Sequence, residues 1–119
     1  MPDGGGTFFL PRLVGYHKAF ELMATGDIIS AHDAYQLGMV NRIVPFAELD
    51  ATVDALAARL GRSPRVALAK IKAGLNQAAE SDLAGALDFE AINQDACFHS
   101  TDFTEGVTAF MQKRAAVFG

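Results

Sequence analysis

The 119-residue sequence has no tryptophan, one cysteine and four prolines. The single cysteine, Cys97, cannot form an internal disulfide, which excludes a disulfide-stapled domain and favours a reduced, intracellular setting. The 14 acidic residues outnumber the 10 basic ones, and no run of Lys or Arg is present. Because nucleic-acid binding needs a basic surface, that function is not expected. No stretch of about 18 uncharged apolar residues is present either, so the sequence predicts no membrane span.

The residues that are present are those of a folded domain, with 50% hydrophobic and 20% charged residues. The start of the chain lacks the basic and apolar segments of a secretory signal. Together with the lone cysteine, these features predict a cytoplasmic protein. The three histidines, His17, His32 and His99, lie on separate segments without the spacing of metal ligands, so no metal site is expected.

The most informative local pattern is the glycine-rich stretch Pro2-Asp3-Gly4-Gly5-Gly6-Thr7. Successive glycines allow backbone conformations that are closed to other residues, and they let a ligand approach the backbone closely. Thr7 is a candidate N-cap for a helix over Phe8 to Val14, with Pro11 tolerated in its first turn. Asp3 is therefore expected beside exposed backbone amides.

Hydrophobic periodicity predicts helices through most of the remaining chain. One helix is expected over Tyr16 to Thr25, closed by Gly26. The next helix is predicted to start at Ser30, which forms a capping box with Asp33. The last is predicted to start near Asp102, which caps reciprocally with Glu105. The helices between them are predicted to start at Leu49, at Ser63, and at Ser81 or Asp82. The apolar stripes from Leu49 to Leu60 and from Leu83 to Phe98 expose more apolar surface than so small a helical bundle can cover by itself. This excess predicts self-association.

Only Met39 to Val44 has the pattern of a strand, with Val40, Ile43 and Val44 stopped by Pro45. A lone strand cannot satisfy its own backbone hydrogen bonds, so we expect its partner to come from another copy, another chain or a missing segment. The predicted fold class is therefore mostly α with one short strand, incomplete as it stands.

Several short blocks occur in order along the chain: Pro2 to Thr7, Leu10 to Gly15, Thr25-Gly26-Asp27, Ile29-Ser30-Ala31, Ala34, Gly38-Met39-Val40 and Glu105 to Phe110 with Lys113-Arg114. Their order and spacing resemble the crotonase superfamily across essentially the whole chain. The chain is similar to the C-terminal part of an enoyl-CoA hydratase/isomerase, and most similar in look to the epoxide or oxepin-CoA isomerases of the phenylacetate pathway.

The resemblance implies that residues 1–48 form the end of an α/β spiral core, with the glycine loop, helices and one strand. It implies that residues 49–119 form a C-terminal helical oligomerisation region. In such proteins two backbone amides polarise the thioester carbonyl of an acyl-CoA, and acidic side chains move a proton at a neighbouring carbon. The resemblance also implies that those amides, and the glutamates that more commonly act in this family, come from a segment before the glycine loop.

Three site residues follow from the resemblance. Asp3 matches the position of a working aspartate in members that isomerise dienes or dehalogenate aromatic thioesters; the alternative is an aspartate that only helps to cap the next helix. Phe110 and Lys113 match residues that lie near the adenine and phosphates of CoA bound to a neighbouring subunit. Their alternatives are core packing for Phe110 and an ordinary solvated helix end for Lys113.

Two functional hypotheses remain open. The first is part of an acyl-CoA hydratase or isomerase, inactive on its own, with the acyl-CoA as substrate, no separate cofactor, and a trimer or hexamer as its assembly. The second is a non-catalytic helical assembly module, the product of truncation or proteolysis of such an enzyme.

Overall fold

The computed structural model describes residues 1–119 and contains seven α-helices, one short 3-10 helix and no strand. The prediction of a mostly helical chain is confirmed. The chain divides into two compact units, Met1–Asp50 and Ala51–Gly119. The helices are α1 (Gly6–Val14), α2 (Tyr16–Thr25), α3 (Ala31–Gln36), the 3-10 helix (Phe46–Glu48), α4 (Leu49–Gly61), α5 (Arg65–Ala78), α6 (Leu83–Phe98) and α7 (Thr101–Met111).

In the first unit, α1 begins earlier than predicted. Gly5 adopts a left-handed conformation, with φ 88° and ψ 9°, and is the N-cap, so Thr7 lies inside the helix and the prediction that it caps α1 was wrong. Pro11 consequently lies in the helix interior rather than in its first turn. Since proline has no N–H, the helix loses one internal hydrogen bond at this position.

The boundaries of α2 and α3 are those that the local signals predicted. Gly26, with φ 67°, ends α2 by donating its amide to the Leu22 carbonyl. The amide of Asp33 donates to the Ser30 hydroxyl at 3.1 Å, and the amide of Ser30 donates to the Asp33 carboxylate at 3.2 Å. This capping box confirms the predicted start of α3.

The predicted strand over Met39 to Val44 does not form, and that prediction was wrong. The Met39 amide donates to the Ala34 carbonyl at the end of α3, whereas residues 40–44 make no backbone-to-backbone hydrogen bond. A strand exists only through pairing with another strand, and this structure provides none.

In the second unit, the start of α5 is fixed by a contact with a distant residue. Ser63 does not cap α5; its hydroxyl donates to the Arg59 carbonyl, and Pro64 is the N-cap. The Arg65 amide instead donates to the Asp102 carboxylate at 3.0 Å. Asp102 is only 9% exposed, so it joins α7 to the start of α5.

Because Asp102 is engaged with α5, its predicted reciprocal cap with Glu105 was wrong. Ser100 caps α7 instead, accepting a hydrogen bond from the Phe103 amide at 3.2 Å. The predicted cap at Asp82 is confirmed, since its carboxylate accepts from the Gly85 amide at 2.9 Å.

Aromatic contacts accompany these helix pairs. A Cβ placed on Gly74 of α5 would lie 3.2 Å from the Phe89 ring of α6, so glycine lets that ring approach the α5 backbone. Phe98 and Phe103 meet edge to face, with ring centroids 5.0 Å apart, where α6 passes into α7. Such pairs contribute about 1 kcal/mol beyond their buried area.

The hydrophobic core is small. Ala19 and Ala109 are the buried hydrophobic residues, and no large side chain is fully buried. Leu83 and Ile92 of α6 are 75% and 72% exposed. An apolar surface of this kind is typical of proteins that bury it against a partner, so self-association stays a prediction that this exposure supports.

Candidate functional site

The predicted catalytic residue, Asp3, lies at the first position of a tight glycine turn. Its carbonyl accepts from the Gly6 amide at 3.0 Å, and the two central residues, Gly4 and Gly5, have φ values of 56° and 88°. Positive φ at both central positions is the pattern of a type I′ turn, which favours glycine. The glycines therefore permit the tight turn that places Asp3 directly before α1.

The Asp3 carboxylate is exposed and makes no hydrogen bond or ion pair within the chain. No side chain caps α1, so the alternative role of Asp3 as a helix cap is absent from this structure. The arginine of α1, Arg12, folds onto its own helix: its guanidinium lies 3.6 Å from the centre of the Phe8 ring and donates to the Phe8 carbonyl. A carboxylate without protein partners remains available to a ligand.

The turn is also packed tightly against α1. A Cβ on Gly5 would lie 2.9 Å from the Phe9 ring, closer than real Cβ atoms approach another heavy atom. Gly5 is therefore required twice, for its conformation and for the space that Phe9 occupies. Phe9 itself is 60% exposed, so an apolar surface lies next to the turn.

The two residues predicted to contact CoA lie together at the end of α7. The Lys113 amide donates to the Phe110 carbonyl at 3.1 Å, and the Arg114 amide donates to the Ala109 carbonyl at 3.1 Å. Phe110 is 82% exposed, so core packing does not describe it in this structure. The short turn at the end of the helix thus brings the backbones of Lys113 and Phe110 into contact.

Glu105 organises the backbone around this turn, a role that the sequence did not reveal. Its carboxylate accepts two hydrogen bonds from Arg114, at 2.6 and 2.8 Å, and one from the Val117 amide at 2.8 Å. The Arg114 guanidinium and the Val117 amide lower the pKa of Glu105 from its usual 4.5 to about 2. The spacing between Glu105 and Arg114 follows no helical rule, which is why only the structure pairs them.

An apolar cavity of about 390 Å³ lies between α5 and α6, and another of about 370 Å³ lies along α7. The second is walled in part by Phe103, Val107, Phe110 and Phe118. A cavity of this lining accepts a planar or aliphatic group. With Lys113 in the turn that follows Phe110, the end of α7 suits a ligand that carries both an apolar portion and a negative charge.

The structure brings Phe110 and Lys113 together in the second unit, and it places Asp3 in the first. No group of three His, Cys, Asp or Glu side chains is arranged to hold a metal ion. None of the helices combines the length and the apolar character needed to cross a bilayer.

Known proteins resemble this chain along its whole length. A family model described as enoyl-CoA hydratase/isomerase matches residues 1–119. The crotonyl-CoA hydratase of Syntrophomonas wolfei is 39% identical over 117 residues, which are 98% of this chain and 45% of the relative. The 1,2-epoxyphenylacetyl-CoA isomerase of Escherichia coli is 37% identical over 99% of this chain and 45% of the relative.

Solved structures agree with the sequence matches. The enoyl-CoA hydratase of Bacillus anthracis superposes with a TM-score of 0.93 at 32% identity, covering 99% of this chain and 46% of that one. The chain thus spans less than half the length of these relatives. Since the family model covers every residue, as the resemblance to the crotonase superfamily predicted, the protein belongs to the enoyl-CoA hydratase/isomerase family.

Proposed function

We propose that this chain is the C-terminal part of a cytoplasmic enoyl-CoA hydratase or isomerase, in which Asp3 transfers a proton next to the thioester of an acyl-CoA. The observation that supports this most is the exposed Asp3 carboxylate, held by a type I′ glycine turn and free of protein partners. A carboxylate in this state is able to take a proton from a bound substrate or give one to it.

The proposed chemistry needs a second group. Removing a proton beside a thioester carbonyl leaves an enolate, and one preorganised amide that donates to its oxygen stabilises the transition state by about 3 to 4 kcal/mol. We propose that the part of the relatives that this chain does not match supplies those amides. The 119-residue chain alone is then inactive.

The proposed ligand contacts are Phe110 and Lys113. Phe110 would stack on the adenine of CoA and Lys113 would neutralise phosphate charge, in CoA bound by a neighbouring subunit of a trimer or hexamer. The 82% exposure of Phe110 and the apolar cavity beside it support this assignment. The acyl-CoA is the substrate, and the reaction as proposed needs no separate cofactor.

Crotonyl-CoA tests the proposal, because hydration removes the absorbance of its conjugated thioester. The 119-residue chain should give no turnover above buffer. Co-expression with the part of the Syntrophomonas wolfei crotonyl-CoA hydratase that the chain does not match should restore hydration. Asp3→Asn should then lower turnover by about 10²- to 10⁴-fold, whereas Asp27→Asn, which alters another exposed carboxylate of the first unit, should leave it unchanged. Full activity of the Asp3→Asn complex would contradict the proposal.

The second candidate is a helical assembly module without catalysis. The absence of any fully buried large side chain favours association of some kind. Light scattering of the isolated chain should show oligomers at micromolar concentration under either proposal. The complementation experiment separates them, since an assembly module gains no Asp3-dependent hydration from its missing portion.

A further inference from the structure

Lys113 is the one residue other than glycine that has a positive φ, at 52°. It occupies the position after a helix end that glycine usually takes, because a Cβ in the left-handed region lies too close to the following carbonyl oxygen. The backbone of Lys113 is therefore strained, and contacts of the neighbouring residues must hold it in this conformation.

The contacts that hold it converge on Arg114. The Arg114 guanidinium donates two hydrogen bonds to Glu105, and its Nε donates to the Gln112 side chain at 2.8 Å. Lys113 therefore lies between two residues that the same guanidinium fixes. A bidentate pair between Arg and a carboxylate fixes orientation as well as distance, so it restrains the backbone on both sides of Lys113.

Glu105 also anchors the segment after the turn. The oxygen that accepts from Arg114 at 2.6 Å accepts as well from the Val117 amide. Phe118 follows directly and lies over α7, where a Cβ on Gly106 would be 3.9 Å from its ring. Phe118 and Phe110 both line the α7 cavity, so one carboxylate fixes the lysine turn and part of the cavity wall.

We infer that Glu105 is a positioning residue for ligand binding at the end of α7, acting through Arg114 to hold Lys113 and Phe118 in the arrangement that Phe110 completes. The inference rests on the proposed function for its ligand, CoA, and it adds the residue that sets the site's geometry. Without Glu105, most molecules would leave the strained turn, and the binding-competent fraction would fall about tenfold.

The first experiment measures the turn itself, in the 119-residue chain without ligand. Backbone φ at residue 113 is followed by NMR chemical shifts and amide couplings. The left-handed conformation should be present in wild type and in the control Glu80→Gln, and largely lost in Glu105→Gln. Adding Lys113→Gly to Glu105→Gln should restore it, because glycine enters this region without strain. A left-handed turn that persists in Glu105→Gln overturns the positioning role.

The second experiment measures binding of CoA by titration to the chain co-expressed with the part of the Syntrophomonas wolfei hydratase that it does not match, because the proposed site needs a neighbouring subunit. Glu105→Gln should weaken binding about tenfold. The same change on a Lys113→Ala background should cause little further loss if Glu105 acts through Lys113, whereas additive losses would overturn that link. Should Glu105→Gln fail to fold, Arg114→Lys replaces it, since lysine cannot make two parallel hydrogen bonds to one carboxylate.

The two experiments fail in different ways. If the wild-type complex does not bind CoA, the proposed assignment of Lys113 to CoA is overturned, and CoA is not the ligand that Glu105 helps to position. The NMR measurement is independent of that result, because it decides from the unliganded chain whether Glu105 sets the conformation at Lys113.

Discussion

The two units of this chain are stabilised in different ways. Polar contacts in Met1–Asp50 are local: the capping box of Ser30 and Asp33, and the turn that closes from Asp3 to Gly6, each span three residues. In Ala51–Gly119 the important contacts are long in sequence, with Asp102 reaching Arg65 across 37 residues and Glu105 reaching Val117 across 12. The first unit therefore holds its candidate catalytic group on a turn, and the second holds its candidate ligand site by contacts between elements.

Removing the contact between α7 and α5 should have the largest effect on stability. Asp102→Ala leaves the part-buried Arg65 amide without its charged acceptor, which should cost about 1.5 to 3 kcal/mol of unfolding free energy. Asp82→Ala removes only an exposed local cap and should cost about 1 kcal/mol. Urea unfolding followed by circular dichroism measures both. Equal costs would show that the long-range contact is no stronger than a local one.

In the first unit, the corresponding test is the glycine turn. Gly5→Ala introduces both a strained φ and a clash with Phe9, and should destabilise the turn by about 1 to 3 kcal/mol. Gly4→Ala is the matched control, because it has a positive φ but nothing within 4 Å of the new Cβ. Hydrogen exchange of the Gly6 amide reports on the turn. If the two variants behave alike, the Phe9 contact contributes nothing.

Relieving the backbone strain at the end of α7 should change the unfolding free energy by a smaller amount, and it should stabilise the protein rather than destabilise it. Lys113→Gly should raise the unfolding free energy by about 1 kcal/mol, because glycine adopts the left-handed turn freely. Lys113→Ala removes the same charge but keeps the strain, so it should bring no such gain. Thermal unfolding of the two variants gives the difference, and a Lys113→Gly variant no more stable than Lys113→Ala would show that the turn is unstrained.

The smallest effect is the pH dependence that Glu105 causes. Arg114 and the Val117 amide lower its pKa from 4.5 to about 2 on folding, so the charged carboxylate is the form that folding favours. Its contribution should be complete above pH 4.5 and lost as the pH falls towards 2. The difference in unfolding free energy between wild type and Glu105→Gln should shrink over that range. A difference that stays constant down to pH 2 would contradict this account.

Local signals predicted several local features of the fold correctly, although the caps expected at Thr7 and Ser63 were wrong. The capping box at Ser30 and the caps at Gly26 and Asp82 each depend on residues within a few positions, which the sequence displays. The roles of Asp102 and Glu105 were mispredicted as a mutual cap because their true partners, Arg65 and Arg114, lie outside α7.

The remaining errors have equally physical reasons. Thr7 was predicted as the N-cap of α1 because threonine is a common capping residue. The sequence alone does not show that Gly5 adopts the left-handed conformation and caps the helix instead. The strand from Met39 to Val44 was predicted from its apolar residues, with a partner from elsewhere, and it does not form here because this structure provides no partner. Asp3, Phe110 and Lys113 came from the family resemblance alone. Their roles stay predictions, while the structure supplies their surroundings.

Proton exchange tests the central claim, that Asp3 moves a proton beside a thioester only when the amides of the remaining portion are present. Butyryl-CoA in deuterium oxide loses its carbon-2 protons when an enolate forms, whether the enzyme is a hydratase or an isomerase. The complemented protein should exchange them, while the Asp3→Asn complex and the 119-residue chain alone should not. Equal exchange by the Asp3→Asn complex, or exchange by the chain alone, would contradict the account.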